Sequence, residues 1–366
     1  MDNCFISLCM IVKNEEEFLP ECLRCVQGIV DEIIIVDTGS TDASIEIGKN
    51  FGGKVISHKW DNNFAKARNI SLENATGDWI LILDADEFLD SIDRDDFHKY
   101  IKESNADILS LELVNYYGDK RDESRTYTMA QSRLFKNHLG LKFENSIHET
   151  INLNDVNTDV YKTKHFPIKI HHLGYLTSVT EKKKKNERNM NLLHAEIKNE
   201  KHSPWMEYHL ASEYYRQKNF DRAFIYCNES IKRFLIAGLM PPSLIYNLKY
   251  SILITTESFK EVLKGIDKAI LLYPDYVDLY FYKAVALYHE GMVNECILTL
   301  EHCLSLGENN LAYLTMSGTG SYQALFYQAL CFKRKGNHEM YEKLLLKALE
   351  IYPNYKEATD ELMGLN

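Results

Sequence analysis

The twelve residues WILILDADEFLD, Trp79 to Asp90, decide how the first half of the chain is read. Trp79, Ile80, Leu81, Ile82 and Leu83 are an unbroken apolar run, the length of a strand buried on both faces of a parallel sheet. Asp84, Ala85, Asp86 and Glu87 follow at once, so the acids fall at the strand's carboxyl end, where open α/β sheets bind ligands. On an extended chain Asp84 and Asp86 point the same way. Two such carboxylates repel each other unless a cation compensates them. A hard divalent ion held by one or two carboxylates and by substrate phosphates fits this pattern, with Mg²⁺ or Mn²⁺ the natural choice.

Working toward the N-terminus, the same strand–turn–helix rhythm recurs. Phe5 to Val12 is a short apolar strand that breaks into Lys13, Asn14 and three glutamates. Glu32 to Val36 is a second buried strand and ends in Asp37, Thr38, Gly39, Ser40, Thr41, Asp42, a ligand loop with helix-capping hydroxyls. Lys54 to His58 is a third strand, and Phe64 to Ala75 a helix containing Arg68 and Asn69. Four such alternations predict an α/β domain with a mostly parallel sheet. Neither the G-x-x-x-x-G-K-[ST] nor, after the first strand, the G-x-G-x-x-G phosphate cradle is present, which argues against a P-loop enzyme and a standard dinucleotide fold. Further on, Ile108 to Tyr116 and Arg133 to Lys136 read as strands, followed by Ile147, His148, Glu149 and then the segment Ile168 to Tyr175.

The formal net charge of −11 argues against a nucleic-acid partner, and no apolar run is long enough for a membrane span. The N-terminus lacks a basic region of signal-peptide type. Eight cysteines in 366 residues are not a secreted disulfide framework, and a reducing cytoplasm fits them. Cys22 and Cys25 have C-x₂-C spacing but no second pair for zinc, and their helical context makes them packing residues.

From about Ser203 the pattern becomes continuously helical and repetitive. Ala211, Tyr250, Ala284 and Ala329 take equivalent places, and twelve residues after each stand Ala223, Val262, Cys296 and Tyr341. Gly291 and Gly336 fall at the turn position seven after their small residues. This resembles the tetratricopeptide (TPR) pattern, with about four units that must stack to bury their faces. The expected organisation is residues 1–180 as the α/β domain, 181–202 as a basic helical linker containing Lys182 to Lys185, and 203–366 as helical repeats.

Ser7 to Glu17 (SLCMIVKNEEE), Val36 to Asp42 (VDTGSTD), Ala67 to Asn69 (ARN) and Ile82 to Glu87 (ILDADE), in that order and spacing, resemble the family 2 glycosyltransferases of the GT-A fold. The resemblance implies that Asp37 contacts the uracil and ribose of a UDP-sugar and that Arg68 and Asn69 touch the sugar nucleotide. Asp84, Ala85 and Asp86 then form the DxD motif, with Asp86 the stronger ligand of Mn²⁺ or Mg²⁺. Thr38 departs from the pattern, since many members have an acid there. An inverting transfer needs a base for the acceptor's proton, and Glu149 is the candidate, with His148 orienting it or touching the sugar. His172, in the segment IKIHHLGY, is expected to complete the metal site or to touch the diphosphate. A GT-A domain joined to TPRs is similar to the bacteriocin S-glycosyltransferases of the sublancin type. That implies transfer of a glucose or N-acetylglucosamine type sugar to a peptide's Cys, or Ser/Thr, with the repeats holding the peptide or making a homodimer. A lipopolysaccharide-core or other glycan acceptor is the alternative. A TPR scaffold with an inactive sugar-nucleotide domain is the reading from another class.

Overall fold

The computed structural model describes residues 4–152, 161–177, 179, 185–199 and 202–364. Lys182, Lys183 and Lys184 of the expected linker lie outside them. Two compact units result: residues 1–121 with 130–185, and residues 122–129 with 186–366. The segment 122–129 therefore groups with the helices, although the sequence pattern assigned the whole of 1–180 to the sheet domain.

The first unit is built on β1 (Ile6–Val12), β2 (Glu32–Asp37), β3 (Lys54–Ser57) and β4 (Trp79–Ile82), which lie in the order β3-β2-β1-β4 and pair in parallel. Alternation along β1 sorts the core into two layers. Ile6, Leu8, Met10 and Val12 pack with Leu19, Cys22 and Leu23 of α1 (Leu19–Cys25) and with Phe97 and Ile101 of α4 (Arg94–Ser104). Cys9 faces the other way and joins Ile34, Ile80 and Ile82 against Ala65 and Leu72 of α3 (Phe64–Asn74). The register sets Val12 beside Asp37 and Cys9 beside Ile82, so three strands end along one edge.

Beyond β4 the sheet becomes mixed. It continues through β7 (Thr126–Lys136), β6 (Ile108–Gly118), β10 (Thr163–Leu176) and β5 (Glu87–Leu89). β7 is antiparallel to β4, β10 is parallel to β6, and β5 is antiparallel to β10. The short strand expected at Arg133 to Lys136 is thus the end of an 11-residue one. The strand-like segment ahead of Glu149 is a small hairpin, β8 (Phe143–Glu144) with β9 (Thr150–Ile151), and Glu149 sits in its turn.

Among the described residues the second unit contains four helical hairpins, Trp205–Arg216 with Phe220–Ile236, Ser243–Thr255 with Phe259–Leu272, Val277–His289 with Val293–Leu306, and Tyr322–Arg334 with His338–Ile351. All eight repeat-marking residues, from Ala211 to Tyr341, are buried. The backbone gives the register independently. Gly291 and Gly336 have φ of 77° and 71°, and the residues seven after Ala211 and Tyr250, Lys218 and Glu257, share that left-handed turn at 58° and 54°. An ordinary side chain is rarely found there, so turn geometry dictated by the hairpin overrides residue preference. All eight cysteines are free. Burial raises the Cys22 thiol well above its ordinary pKa, as packing requires.

Candidate active site

The loops that leave β1 and β2 are stitched together. The Asn14, Glu15 and Glu16 amides donate to Ser40 Oγ, Ser44 Oγ and Asp42 Oδ2 at 2.9, 2.7 and 3.1 Å. Asp37 is buried at the end of β2, and its carboxylate accepts from the Gly39 and Ser40 amides at 3.0 and 3.2 Å. Thr38, the departure from the family pattern, donates its hydroxyl to the Val12 carbonyl at 3.2 Å.

After β4 the chain makes a tight turn, with the Glu87 amide donating to the Asp84 carbonyl at 3.0 Å. The Glu87 side chain closes the turn by accepting from the Asp84 amide at 2.9 Å, and Arg133 on β7 ion-pairs with its other oxygen. Burial first, and then the charges of Asp84 and Asp86 working against Arg133, push the Glu87 carboxyl up to about 7. Ala85 is buried in the core, which leaves Asp84 and Asp86 as the turn's chemical side chains.

Asp84 is compensated by a guanidinium. Arg68 Nη2 donates to Asp84 Oδ1 at 2.7 Å, and Arg68 Nε donates to Glu149 Oε1 at 2.6 Å. Burial opposes ionisation of Asp84, but the Arg68 and Arg133 charges outweigh it and hold the carboxyl below its ordinary pKa. Burial likewise disfavours the Arg68 charge, and Asp84 and Glu149 overcome it. Asp84 thus gives one oxygen to Arg68, and its other oxygen is the one that the expected pair of carboxylates would offer a metal. Asn69 has both ends of its amide on the Phe143 backbone, at 2.9 and 2.8 Å, so it clamps the β8–β9 hairpin. Through Asn69, Arg68 and the Phe64 amide on the Ser146 carbonyl at 2.9 Å, α3 fixes that hairpin and with it Glu149. His148 adjoins Glu149 with φ of 51°, a left-handed turn conformation.

Asp86 and His172 come together because β10 pairs with β5, setting His172 opposite Glu87. His172 Nε2 lies 3.6 Å from Asp86 Oδ1. In the same strand register His172 stands opposite Asn115, whose Oδ1 is 2.8 Å from His172 Nδ1. An amide oxygen only accepts, so Nδ1 carries a proton, and in the neutral imidazole Nε2 then has its lone pair available to a cation beside Asp86. Gly174 keeps this space open, since a Cβ there would lie 2.4 Å from His172 Nε2 and 2.9 Å from Asp86 Oδ2. An imidazole lone pair and a carboxylate held a few ångströms apart beneath a side-chain-free residue fit a divalent cation whose other ligands are phosphate oxygens. Among the described residues no group of three His, Cys, Asp or Glu side chains is arranged as a complete metal cage.

Sequence reasoning proposed roles for Asp86 and His172 but gave none to Asn115, Gly174 or the Glu87–Arg133 pair. The two-residue spacing of His172 and Gly174 was a usable signal. Asn115 carried none, because its role depends on the register of two distant strands.

The sheet edge thus carries a charge-balanced acidic turn with a His–Asp pair kept open beside it. Comparison with known proteins finds that residues 7–166 match the model of glycosyl transferase family 2. Over 296 residues the chain is 26% identical to the SPbeta prophage-derived glycosyltransferase SunS of Bacillus subtilis, covering 78% of this chain and 67% of that protein. Over 146 residues it is 37% identical to a TPR repeat-containing protein of Synechococcus elongatus, covering 40% of this chain but only 35% of that protein. Among solved structures, that of S. aureus TarS aligns with a TM-score of 0.40 at 15% identity, covering 67% of this chain and 52% of that one. No helix among the described residues is long and apolar enough to cross a membrane.

Proposed function

We propose that this chain is an inverting glycosyltransferase that moves a glucose or N-acetylglucosamine type sugar from a UDP-sugar to a peptide side chain, a Cys or a Ser/Thr of a bacteriocin precursor. The observation that carries the reading is the Asp86–His172 pair under Gly174, at the same sheet edge as Asp37, in a family 2 domain. Asp86 and His172 would hold Mn²⁺ or Mg²⁺, which neutralises the leaving diphosphate when bound. Asp37 would receive the uracil and ribose. Arg68, already bridging Asp84 and Glu149, would set their positions beside the donor.

Glu149 is the proposed base. Its Oε1 accepts from Arg68 Nε at 2.6 Å, which holds the carboxylate in place. A thiol is partly ionised near neutral pH and needs less help. A cysteine acceptor is therefore the one least dependent on Glu149, with Ser/Thr or the hydroxyls of a lipopolysaccharide-core or other glycan as the alternatives. The repeats would present the peptide or join two copies into a homodimer, and a cytoplasmic location suits a UDP-sugar. Mass spectrometry of Cys-, Ser- and Thr-containing peptides incubated with several UDP-sugars tests the reading. A hexose or N-acetylhexosamine mass gain on the Cys peptide supports it. Donor hydrolysis without transfer to any peptide, together with transfer to a glycan, would replace it with the glycan reading. An absence of any donor turnover would favour the scaffold.

A further inference from the structure

The helical unit holds a piece of chain that is not helical. Residues 122–129 open with a turn, in which the Arg125 amide donates to the Asp122 carbonyl at 2.9 Å. The Asp122 carboxylate accepts from the Ser124 amide and hydroxyl at 2.9 and 2.7 Å. From Thr126 the segment is extended as the start of β7.

Several parts of the unit grip this segment. The Tyr352 hydroxyl donates to Asp122 Oδ1 at 2.9 Å, and the Tyr322 hydroxyl to the Ser124 carbonyl at 3.3 Å. The Ser317 amide donates to the Thr126 carbonyl at 3.0 Å. Strand β11 (Thr315–Met316) then pairs antiparallel with it, Thr315 opposite Thr128 and Met316 opposite Tyr127. Asp122 and Ser124 are half-buried and Thr126 is buried, whereas Glu123 and Arg125 are exposed. The receiving loop is itself anchored: the buried Asp278 carboxylate accepts from the Met316 amide at 3.0 Å, the Thr319 hydroxyl at 2.8 Å and Asn247 Nδ2 at 3.0 Å.

Strand addition with side-chain pockets is a recurrent mode of peptide recognition. Here the added strand comes from the same chain. We infer that the peptide-binding surface formed by β11, Tyr322 and Tyr352 is occupied in cis by residues 122–129, so that a separate peptide engages it only by displacing that segment. Tethering gives the segment an effective concentration in the millimolar range, enough for weak strand addition to win against a dilute peptide. The inference rests on the docking seen within the helical unit and stands whether or not the chain transfers sugar.

Hydrogen exchange on the full-length protein tests it. In the wild type, amides of 126–129 and 315–317 should be protected together. In the double variant Tyr322→Phe/Tyr352→Phe, which removes two hydroxyl donors, exchange at both segments should rise together by roughly 10- to 30-fold, while helix Val277–His289 stays protected. A synthetic peptide of wild-type sequence 122–129 should restore protection at 315–317 in the segment variant Asp122→Ala/Thr128→Pro, whose receiving surface is unchanged, and should not bind the wild type. Should the double variant lose helix protection, Tyr352→Phe alone gives the same test with a smaller rise. Peptide binding to the wild type as tightly as to the variant would overturn the inference. So would faster exchange at 315–317 with no change at 126–129.

Discussion

Replacing Gly174 with alanine tests the geometry of the proposed cation site with a single methyl group. The added Cβ would lie 2.4 Å from His172 Nε2, where ordinary contact begins near 3.4 Å, so the imidazole or the strand must move by about 1 Å. The backbone at 174 lies outside the left-handed region, so alanine introduces no torsional penalty of its own. Overpacking of this kind costs about 1–3 kcal/mol of stability, which leaves a folded protein. A misplacement of about 1 Å at a reacting centre costs about 100-fold in rate. Gly174→Ala should therefore lose about two orders of magnitude in kcat and require more Mn²⁺ for half-maximal activity, while melting only a few degrees lower. Steady-state turnover across a Mn²⁺ titration, alongside thermal unfolding, measures both. Near-wild-type turnover with an unchanged Mn²⁺ requirement would refute the assignment of Asp86 and His172 as its ligands.

Other sites give further expectations. Arg68→Met should destabilise the fold by about 3–5 kcal/mol in urea unfolding, because it strands the Asp84 and Glu149 carboxylates it now pairs. Glu149→Gln should keep UDP-sugar affinity and lower kcat by about 10²- to 10⁴-fold for a hydroxyl acceptor, with a smaller loss for a thiol. A raised KM with unchanged kcat would instead make Glu149 a positioning residue. Burial pushes the Asp278 carboxyl up to about 7 from an ordinary 3.8, so the folded state keeps a proton that the unfolded chain releases. That contribution is complete below the unfolded pKa and is lost as pH rises through about 7, at most roughly 4 kcal/mol in all, and Asp278→Asn should flatten this part of the stability–pH curve.

Much of this was legible in the chain because it is local. The apolar runs at Ile6–Val12, Glu32–Asp37 and Trp79–Ile82 announce buried parallel strands, and the acids after them mark the edge where the candidate site lies. The repeat spacing from Ala211 to Tyr341 likewise depends only on helical period. What the sequence concealed is pairing between distant segments. Nothing near Asp84 says that Arg68 will neutralise it, and nothing near Asn69 says that its amide will be spent on Phe143. The mixed half of the sheet has no alternating βα signal, so the extent of β7 and the Asn115–His172 register appear only in three dimensions. The docking of 122–129 was hidden for the same reason, since turn residues and a short polar strand look the same whether they are free or held.

UDP release from UDP-sugar, with and without a peptide acceptor, measured in Mn²⁺ and again in excess EDTA, tests the central claim most directly. The account predicts acceptor-stimulated release that EDTA abolishes and that Asp86→Asn removes while the protein stays folded. Full turnover in EDTA, or in Asp86→Asn, would contradict it.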